Sequence, residues 1–180
     1  MRNAIHQMLA AILTPLLAAC YTPTSTPEPP STDADALQMA LEDEYKAQAT
    51  YAAVIEKFGD VRPFSNIIQA ERRHSDRVKV EMDRLGIAYA KENPLLGEVD
   101  APASLLAACK EGVAAEQENI ALYDKILPTI VDAQVLETLT ALQRASRERH
   151  LPAFERCVER GGAMGGGMGR GGGTGRGGGR

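Results

Sequence analysis

The sequence lacks several features that would point to common protein classes. It has no tryptophan, and aromatic residues make up only 4% of its 180 positions. Alternation of β-branched and polar residues is scarce, which argues against a β-sandwich or barrel. The net charge is -4 and no basic stripe occurs in the central region, so nucleic acid is not an expected partner. No nucleophile triad, phosphate-binding loop or CxxC motif suggests another enzyme class.

Glycine is also scarce in the middle of the chain. Of the 17 glycines, only four lie between residues 36 and 160: Gly59, Gly86, Gly97 and Gly112. Ala, Leu, Glu, Arg and Gln dominate this stretch, and they are strong helix formers. The composition therefore predicts one all-α domain over residues 36–160, which is long enough for a single core.

The N-terminal segment has the features of an export signal. Arg2 is followed by an apolar run over residues 8–19, which is too short to span a bilayer but has the length of a signal-peptide core. The run ends Leu-Ala-Ala-Cys at Cys20, which resembles the lipobox of bacterial lipoproteins. This resemblance implies that residues 1–20 are a signal peptide, that Cys20 is acylated, and that the lipid anchors the protein to a membrane. A signal peptide with a chance cysteine is the alternative.

Two further segments are expected to be disordered. Residues 21–35 are rich in Pro and Thr and predict an extended linker. Tyr21, rather than Asp, follows Cys20, and by resemblance to lipoprotein sorting this favours the outer membrane of the cell envelope, facing the periplasm. Residues 161–180 contain 13 glycines and three arginines and predict a flexible tail.

Helical periodicity occurs four times between these ends. The predicted helices run from Leu37 to Phe58, from near Pro63 to Leu85, from Ser104 to Leu127, and from Asp132 to Arg160. Each has one apolar stripe, so we expect an antiparallel four-helix bundle with a longer connection, residues 87–103, between helices two and three. Pro152 should bend the fourth helix because it removes a backbone hydrogen bond.

Each apolar stripe is interrupted by an ionisable residue near its middle. These residues are Glu44, Glu71, His74, Glu116 and His150. A buried, unpaired carboxylate costs several kcal/mol, so four helices with this feature need a common explanation, and a shared cation supplies one. Glu71 and His74 are three residues apart, which places both side chains on one helix face.

The two halves of the domain repeat each other. Glu44 and Tyr51 match Glu116 and Tyr123 at an offset of 72, while Glu71 matches Arg147 at an offset of 76, as His74 matches His150. Two Glu-x-x-His motifs plus two Glu residues form the di-iron site of ferritin-like bundles. With Arg147 in place of the second Glu, we expect about one ion per chain and a weak or empty second position.

Three segments carry a resemblance to a known family. They are LEDEYKAQATYAAVIEKFGDVRPFSNIIQAERRH, ACKEGVAAEQENIALYD and SRERHLPAFERC. These segments resemble the uncharacterised ferritin-like family called domain of unknown function 2202. The resemblance implies a ferritin-like bundle of unassigned activity, with the five ionisable residues as ligands of a transition metal. Iron is favoured, with manganese or zinc as alternatives, and Arg147 weighs against redox chemistry.

Two functions remain open from the sequence. The first is a metal-binding protein, at most an oxidase or peroxidase acting on iron, dioxygen or peroxide. The second is a non-catalytic, metal-free surface module in which Arg147 neutralises the core carboxylates. Tyr51 and Tyr123 are expected to pack in the core with a hydroxyl bonded to a carboxylate, rather than to act in redox chemistry. Protein partners are not predicted, and a homo-oligomer is compatible with the sequence.

The remaining cysteines are expected to form a disulfide. Cys109 lies seven residues before Glu116, and Cys157 lies seven residues after His150. If Glu116 and His150 share one height on antiparallel helices, both sulfurs point to the same end of the bundle. Export to an oxidising compartment would preserve the bond. Two separate buried thiols are the alternative, because Pro152 could displace the end of helix four.

Overall fold

The computed structural model describes residues 32–163 as an all-α bundle. The predicted signal segment with Cys20, the linker up to residue 31 and the tail from residue 164 lie outside the described residues. The helices are α1 (Asp33–Phe58), α2 (Phe64–Leu85), α3 (Leu105–Ile126), α4 (Ala133–Ala145) and α5 (Leu151–Glu159). A 3₁₀ turn (Leu127–Thr129) follows α3, and a π-helical turn (Ser146–His150) joins α4 to α5. Within this range no helix is long and apolar enough to cross a bilayer.

The first helix begins earlier than the sequence pattern predicts. We expected linker up to residue 35, but α1 starts at Asp33, and the Thr32 side chain caps it by accepting a hydrogen bond from the Asp35 backbone N–H. Two acidic residues in the first turn, Asp33 and Asp35, also interact favourably with the helix dipole. A cap and two acidic residues extend the helix beyond its apolar stripe, which is why periodicity alone placed the start too late.

Two apolar clusters occupy opposite ends of the bundle, and they fix the direction of each helix. The Leu41 cluster comprises Ala36, Leu37, Ala40, Leu41, Tyr45, Val78, Met82, Tyr123, Ile126, Val135, Leu139 and Leu142. The Phe64 cluster comprises Tyr51, Val54, Val61, Phe64, Ile67, Ile68, Ala108, Cys109, Phe154 and Cys157. The chain passes from the first cluster to the second along α1 and α4–α5, and in the opposite direction along α2 and α3. Helices α1 and α2 are therefore antiparallel, as are α3 and α4, whereas α2 and α3 are parallel.

The long connection between α2 and α3 makes this parallel arrangement possible. It returns along the side of α1: the Tyr45 hydroxyl donates to the Ala90 carbonyl oxygen at 2.7 Å, and the Lys57 amine donates to the Pro102 carbonyl oxygen at 2.8 Å. Asn93 strengthens the contact by donating to the Tyr45 carbonyl oxygen at 2.8 Å. The predicted four-helix fold with a longer second connection is confirmed, and this connection runs the length of the bundle.

The fourth predicted helix consists of α4, the π-helical turn and α5, and this wide turn lies just before Pro152. The Leu151 backbone N–H donates to the carbonyl oxygen of Ser146, five residues earlier, instead of the usual four. Pro152 follows directly and has no N–H to donate, so the hydrogen-bond ladder cannot continue in α register at this point. The turn leaves His150 buried and determines which of the preceding residues faces the core.

The end of the bundle that contains the Phe64 cluster is tied together covalently. Cys109 on α3 and Cys157 on α5 form a disulfide with a Cα–Cα distance of 5.8 Å, which is the pair expected from the sequence. Gly112 lies one turn further along α3, and a Cβ there would come within 2.5 Å of the Phe154 ring. Only glycine allows this ring to lie directly on the α3 backbone, so the two helices approach closely beside the disulfide.

Candidate metal centre

A polar layer separates the two apolar clusters at the middle of the bundle. It contains the five residues that the sequence predicted: Glu44, Glu71, His74, Glu116 and His150. All except His74 are buried, and the His74 side chain is only 12% exposed. They come from α1, α2, α3 and the π-helical turn, so four separate segments place them at one height.

Glu71 lies at the centre of this layer. Its Oε2 is 3.0 Å from Nδ1 of His74, and its Oε1 is 3.0 Å from Nδ1 of His150. Glu44 approaches from one side, with Oε2 3.5 Å from His74 Nδ1, and Glu116 from the other, with Oε2 3.6 Å from His150 Nδ1. The result is two groups of one imidazole and two carboxylates, and both groups contain Glu71.

Two tyrosines hold the outer carboxylates. The Tyr51 hydroxyl donates to Glu116 Oε1 at 2.8 Å, and the Tyr123 hydroxyl donates to Glu44 Oε1 at 3.3 Å. Each tyrosine thus reaches across the bundle to the carboxylate of the other half. Burial, followed by the neighbouring carboxylates, raises the pKa of both tyrosines well above the usual range, so both keep their protons and act as donors. One oxygen of each Glu is thereby occupied, and the other is directed at an imidazole.

The donor atoms fit a metal ion. Two buried atoms lack a well-aligned hydrogen bond: Glu44 Oε2, which has only His74 Nδ1 at 3.5 Å, and His150 Nδ1, which has only its ion-pair contacts with Glu71 and Glu116. Such atoms are costly in a core unless something else satisfies them. Carboxylate and imidazole donors together suit iron, manganese and zinc. The layer therefore has the donor composition of a site that could hold a cation, which would also satisfy Glu44 Oε2.

Three groups of this layer have strongly shifted pKa values. Burial and the neighbouring Glu71 raise the pKa of Glu44 well above its usual range. Burial alone would raise the pKa of Glu71, but the imidazoles of His150 and His74 outweigh it and hold that pKa far below the usual range. Burial alone would lower the pKa of His150, but Glu116 and Glu71 raise it to about 9. A raised pKa favours the protonated form of Glu44 and His150, so metal binding through these two groups should release protons.

Arg147 does not lie where the repeat predicted. Its side chain is 53% exposed and forms an ion pair with Asp124 at 3.1 Å, on the outside of the bundle. The predictions that Arg147 occupies the second metal position, or neutralises the core carboxylates, are therefore wrong. The π-helical turn shifts the register by one residue, so buried Ser146 faces the layer in its place. Glu148, two residues before His150, is also exposed.

Sequence reasoning missed a second polar pair beside the layer. Asp43 on α1 accepts a hydrogen bond from the Asn119 side-chain amide on α3. Burial raises the pKa of Asp43 to about 6. Together with Glu44, Glu71 and Glu116, this pair and Ser146 line a cavity of about 30 Å³ between α1 and α3. Asn119 lies three residues after Glu116 on the same helix face, a signal that could have identified it, whereas nothing in the α1 pattern points to Asp43.

The position of Ser146 gives a direct test of this register. Ser146→Asp should place a fourth carboxylate against the layer and strengthen metal binding about tenfold or more, since it adds a charged oxygen ligand. Arg147→Glu should leave metal binding unchanged, because its side chain points to solvent. Titration of both variants with Mn²⁺ would distinguish them. Stronger binding by Arg147→Glu than by Ser146→Asp would contradict the shifted register.

Comparison with known proteins supports the fold and assigns no function. No protein-family model matches the chain, and no curated protein matches it. The resemblance to the domain of unknown function 2202 family therefore stays a prediction. Among solved structures, the chain is similar to a hypothetical protein from Methanococcus jannaschii, with a TM-score of 0.65 and 23% sequence identity. The match covers 78% of this chain and 89% of that chain, and at this identity it bears on the fold alone.

Proposed function

We propose that this protein binds two transition-metal ions in the core of a ferritin-like bundle, and that Glu71 would serve both positions. The single observation that carries the proposal is that the two oxygens of Glu71 face two different imidazoles, each beside a second carboxylate. Glu44 and His74 would complete one position, and Glu116 and His150 the other. Iron is the favoured metal, and the family resemblance of the sequence points the same way.

The surroundings of the layer favour small molecules as reactants. The adjoining cavity of about 30 Å³ has room for about one water-sized molecule. A pair of bound ions would supply Lewis-acid or redox activation of small oxygen compounds such as dioxygen or peroxide. The chain itself would hold the ions through the five ligands, orient Glu44 and Glu116 through Tyr123 and Tyr51, and admit water-sized molecules to the carboxylates through this cavity. This favours an oxidase or peroxidase over an enzyme of large substrates.

Metal analysis tests the proposal directly. Protein purified without chelators and loaded with Fe²⁺, Mn²⁺ or Zn²⁺ should contain about two ions per chain after desalting. One ion per chain would contradict the two proposed positions, and the absence of all three metals would contradict metal binding altogether. Proton release on loading, measured in weakly buffered solution, should accompany binding, because protons on Glu44 and His150 are displaced.

We also propose that the protein works in the bacterial cell envelope, tethered through lipid on Cys20. The lipobox resemblance supports this, and so does the disulfide between Cys109 and Cys157, since such bonds persist in oxidising compartments. The wild-type protein should fractionate with membranes, whereas Cys20→Ser should release it or block its maturation. Wild-type protein found wholly in the soluble fraction after export would contradict the tether.

A further inference from the structure

A second opening lies on the other side of the polar layer, between α2 and the segment from α4 to α5. It is a cleft of about 480 Å³, and the rings of His74 and His150 form part of its lining. The two rings are stacked with centroids 5.5 Å apart. The cavity beside Asp43 and Asn119 is lined by carboxylates, whereas this cleft is lined by three arginines.

The arginines are Arg73, Arg77 and Arg149. All three are exposed, and none forms an ion pair or side-chain hydrogen bond with a described residue. No Asp or Glu occurs among the described residues that line the cleft. Other exposed arginines, among them Arg144 and Arg156, also lack an ion pair with a described residue, so what sets these three apart is that they line one cleft. Three unpaired guanidinium groups around one cleft form a positive site that lacks its counter-charge.

The two histidines each add a ring nitrogen to the lining of the same cleft. Nδ1 of each ring faces the carboxylates of the metal layer, which leaves Nε2 as the other polar atom of each ring. Neither Nε2 makes a hydrogen bond to a described residue. In metal sites, the second ring nitrogen of a histidine ligand almost always donates to a carboxylate, a carbonyl oxygen or water. Here the part of the chain that the structure describes supplies no such acceptor.

We propose that this cleft binds a phosphate-class oxyanion, held by Arg73, Arg77 and Arg149 above the His74–His150 pair. Guanidinium groups present paired N–H donors that match the oxygens of a phosphoryl group. The volume of the cleft is ample for one phosphoryl group, either free or part of a larger molecule. The role of the histidines rests on the proposed metal function, whereas the arginine site stands without it. The anion would lie on the side of the imidazoles opposite the metal positions and accept from their Nε2–H groups.

The test is a calorimetric titration of inorganic phosphate into the full mature chain carrying Cys20→Ser, both metal-free and loaded with Mn²⁺. Arg73→Gln/Arg77→Gln/Arg149→Gln should weaken phosphate binding at least tenfold in both forms. A matched control, Arg72→Gln/Arg144→Gln/Arg156→Gln, removes the same charge from exposed arginines outside the cleft and should bind like the parent. Circular dichroism would verify that both triple variants keep the parent helical content.

The outcomes separate the cleft from the metal function. Phosphate binding without metal binding would leave the cleft standing and overturn the metal proposal. Metal binding without phosphate binding would do the reverse. Phosphate binding that survives in the cleft variant, or that falls equally in the control, would overturn the cleft as its site. Cosedimentation with vesicles of phosphatidylglycerol, compared with phosphatidylcholine, would show whether the phosphoryl group belongs to an anionic lipid or to a free anion.

Discussion

Glu71→Gln is expected to abolish binding at both metal positions, the largest functional effect of any single substitution in the centre. Glu71 belongs to both groups that could hold an ion, so removal of its charge would take one carboxylate from each proposed position at once. Substituting a residue that only hydrogen-bonds to a metal ligand costs roughly 10- to 100-fold in affinity, so loss of a shared ligand should cost more than that. Metal content after loading and desalting should fall from about two ions per chain to near zero.

Three further variants make this result specific. Glu44→Gln and Glu116→Gln each alter one group, so each should retain about one ion. Glu81→Gln is the matched control, because Glu81 is also buried on α2 but bonds to Arg84 and Thr138, away from the metal layer. It should retain both ions. If Glu81→Gln lost as much metal as Glu71→Gln, the loss would reflect a damaged fold and not a missing ligand.

Removal of the disulfide is expected to have the largest effect on stability. Cys109 and Cys157 are separated by 48 positions, and the chain-entropy argument gives about 4 kcal/mol for closing a loop of that length in the unfolded state. This is a large part of the 5–15 kcal/mol that is typical of a whole domain. Cys109→Ala/Cys157→Ala should therefore lower the midpoint of thermal unfolding by roughly 10–20 °C for a domain of this size.

Reduction of the wild-type protein provides the matching measurement. Wild-type protein in reductant should unfold near the temperature of the double variant, and reductant should not change the double variant itself. Metal content should persist in the variant at low temperature, because neither cysteine belongs to a ligand group. Identical unfolding midpoints for oxidised and reduced wild-type protein would mean that the bond adds no stability.

Much of the fold could be predicted from the sequence because helices are local structures. The apolar spacing placed three of the four predicted helices within a few residues of their observed bounds. Ser104, which caps the third helix, and Gly59 and Gly86, which follow the first two, marked the ends of these helices. An ionisable residue on an apolar stripe is visible in the same way, so Glu44 and Glu116 could be identified from the amino-acid pattern alone. The cysteine pair followed from the same reasoning, since residues two turns from a common height must approach each other on antiparallel helices.

The helical register of the fourth predicted helix could not be predicted, and the observed register changed the interpretation of the site. A strict α-helical period puts Arg147 and His150 on one face, and the repeat with Glu71 and His74 supports that choice. The π-helical turn inserts one extra residue before Pro152, so Ser146 faces inward and Arg147 faces solvent. Whether the turn before a proline is widened depends on how neighbouring helices pack against it, and this information is not local.

The sequence by itself determined four amphipathic helices, the inward direction of five ionisable residues and the pairing of two cysteines. Only the tertiary structure decided that Glu71 is shared by two groups of carboxylates and imidazole. It also decided that Tyr51 and Tyr123 donate hydrogen bonds to the carboxylates of the opposite half, and that three arginines line the cleft beside the histidines. Helical periodicity fixes the angle of a side chain around its own axis. The distances between side chains on different helices depend on the relative height and rotation of those helices, which packing of the whole core determines.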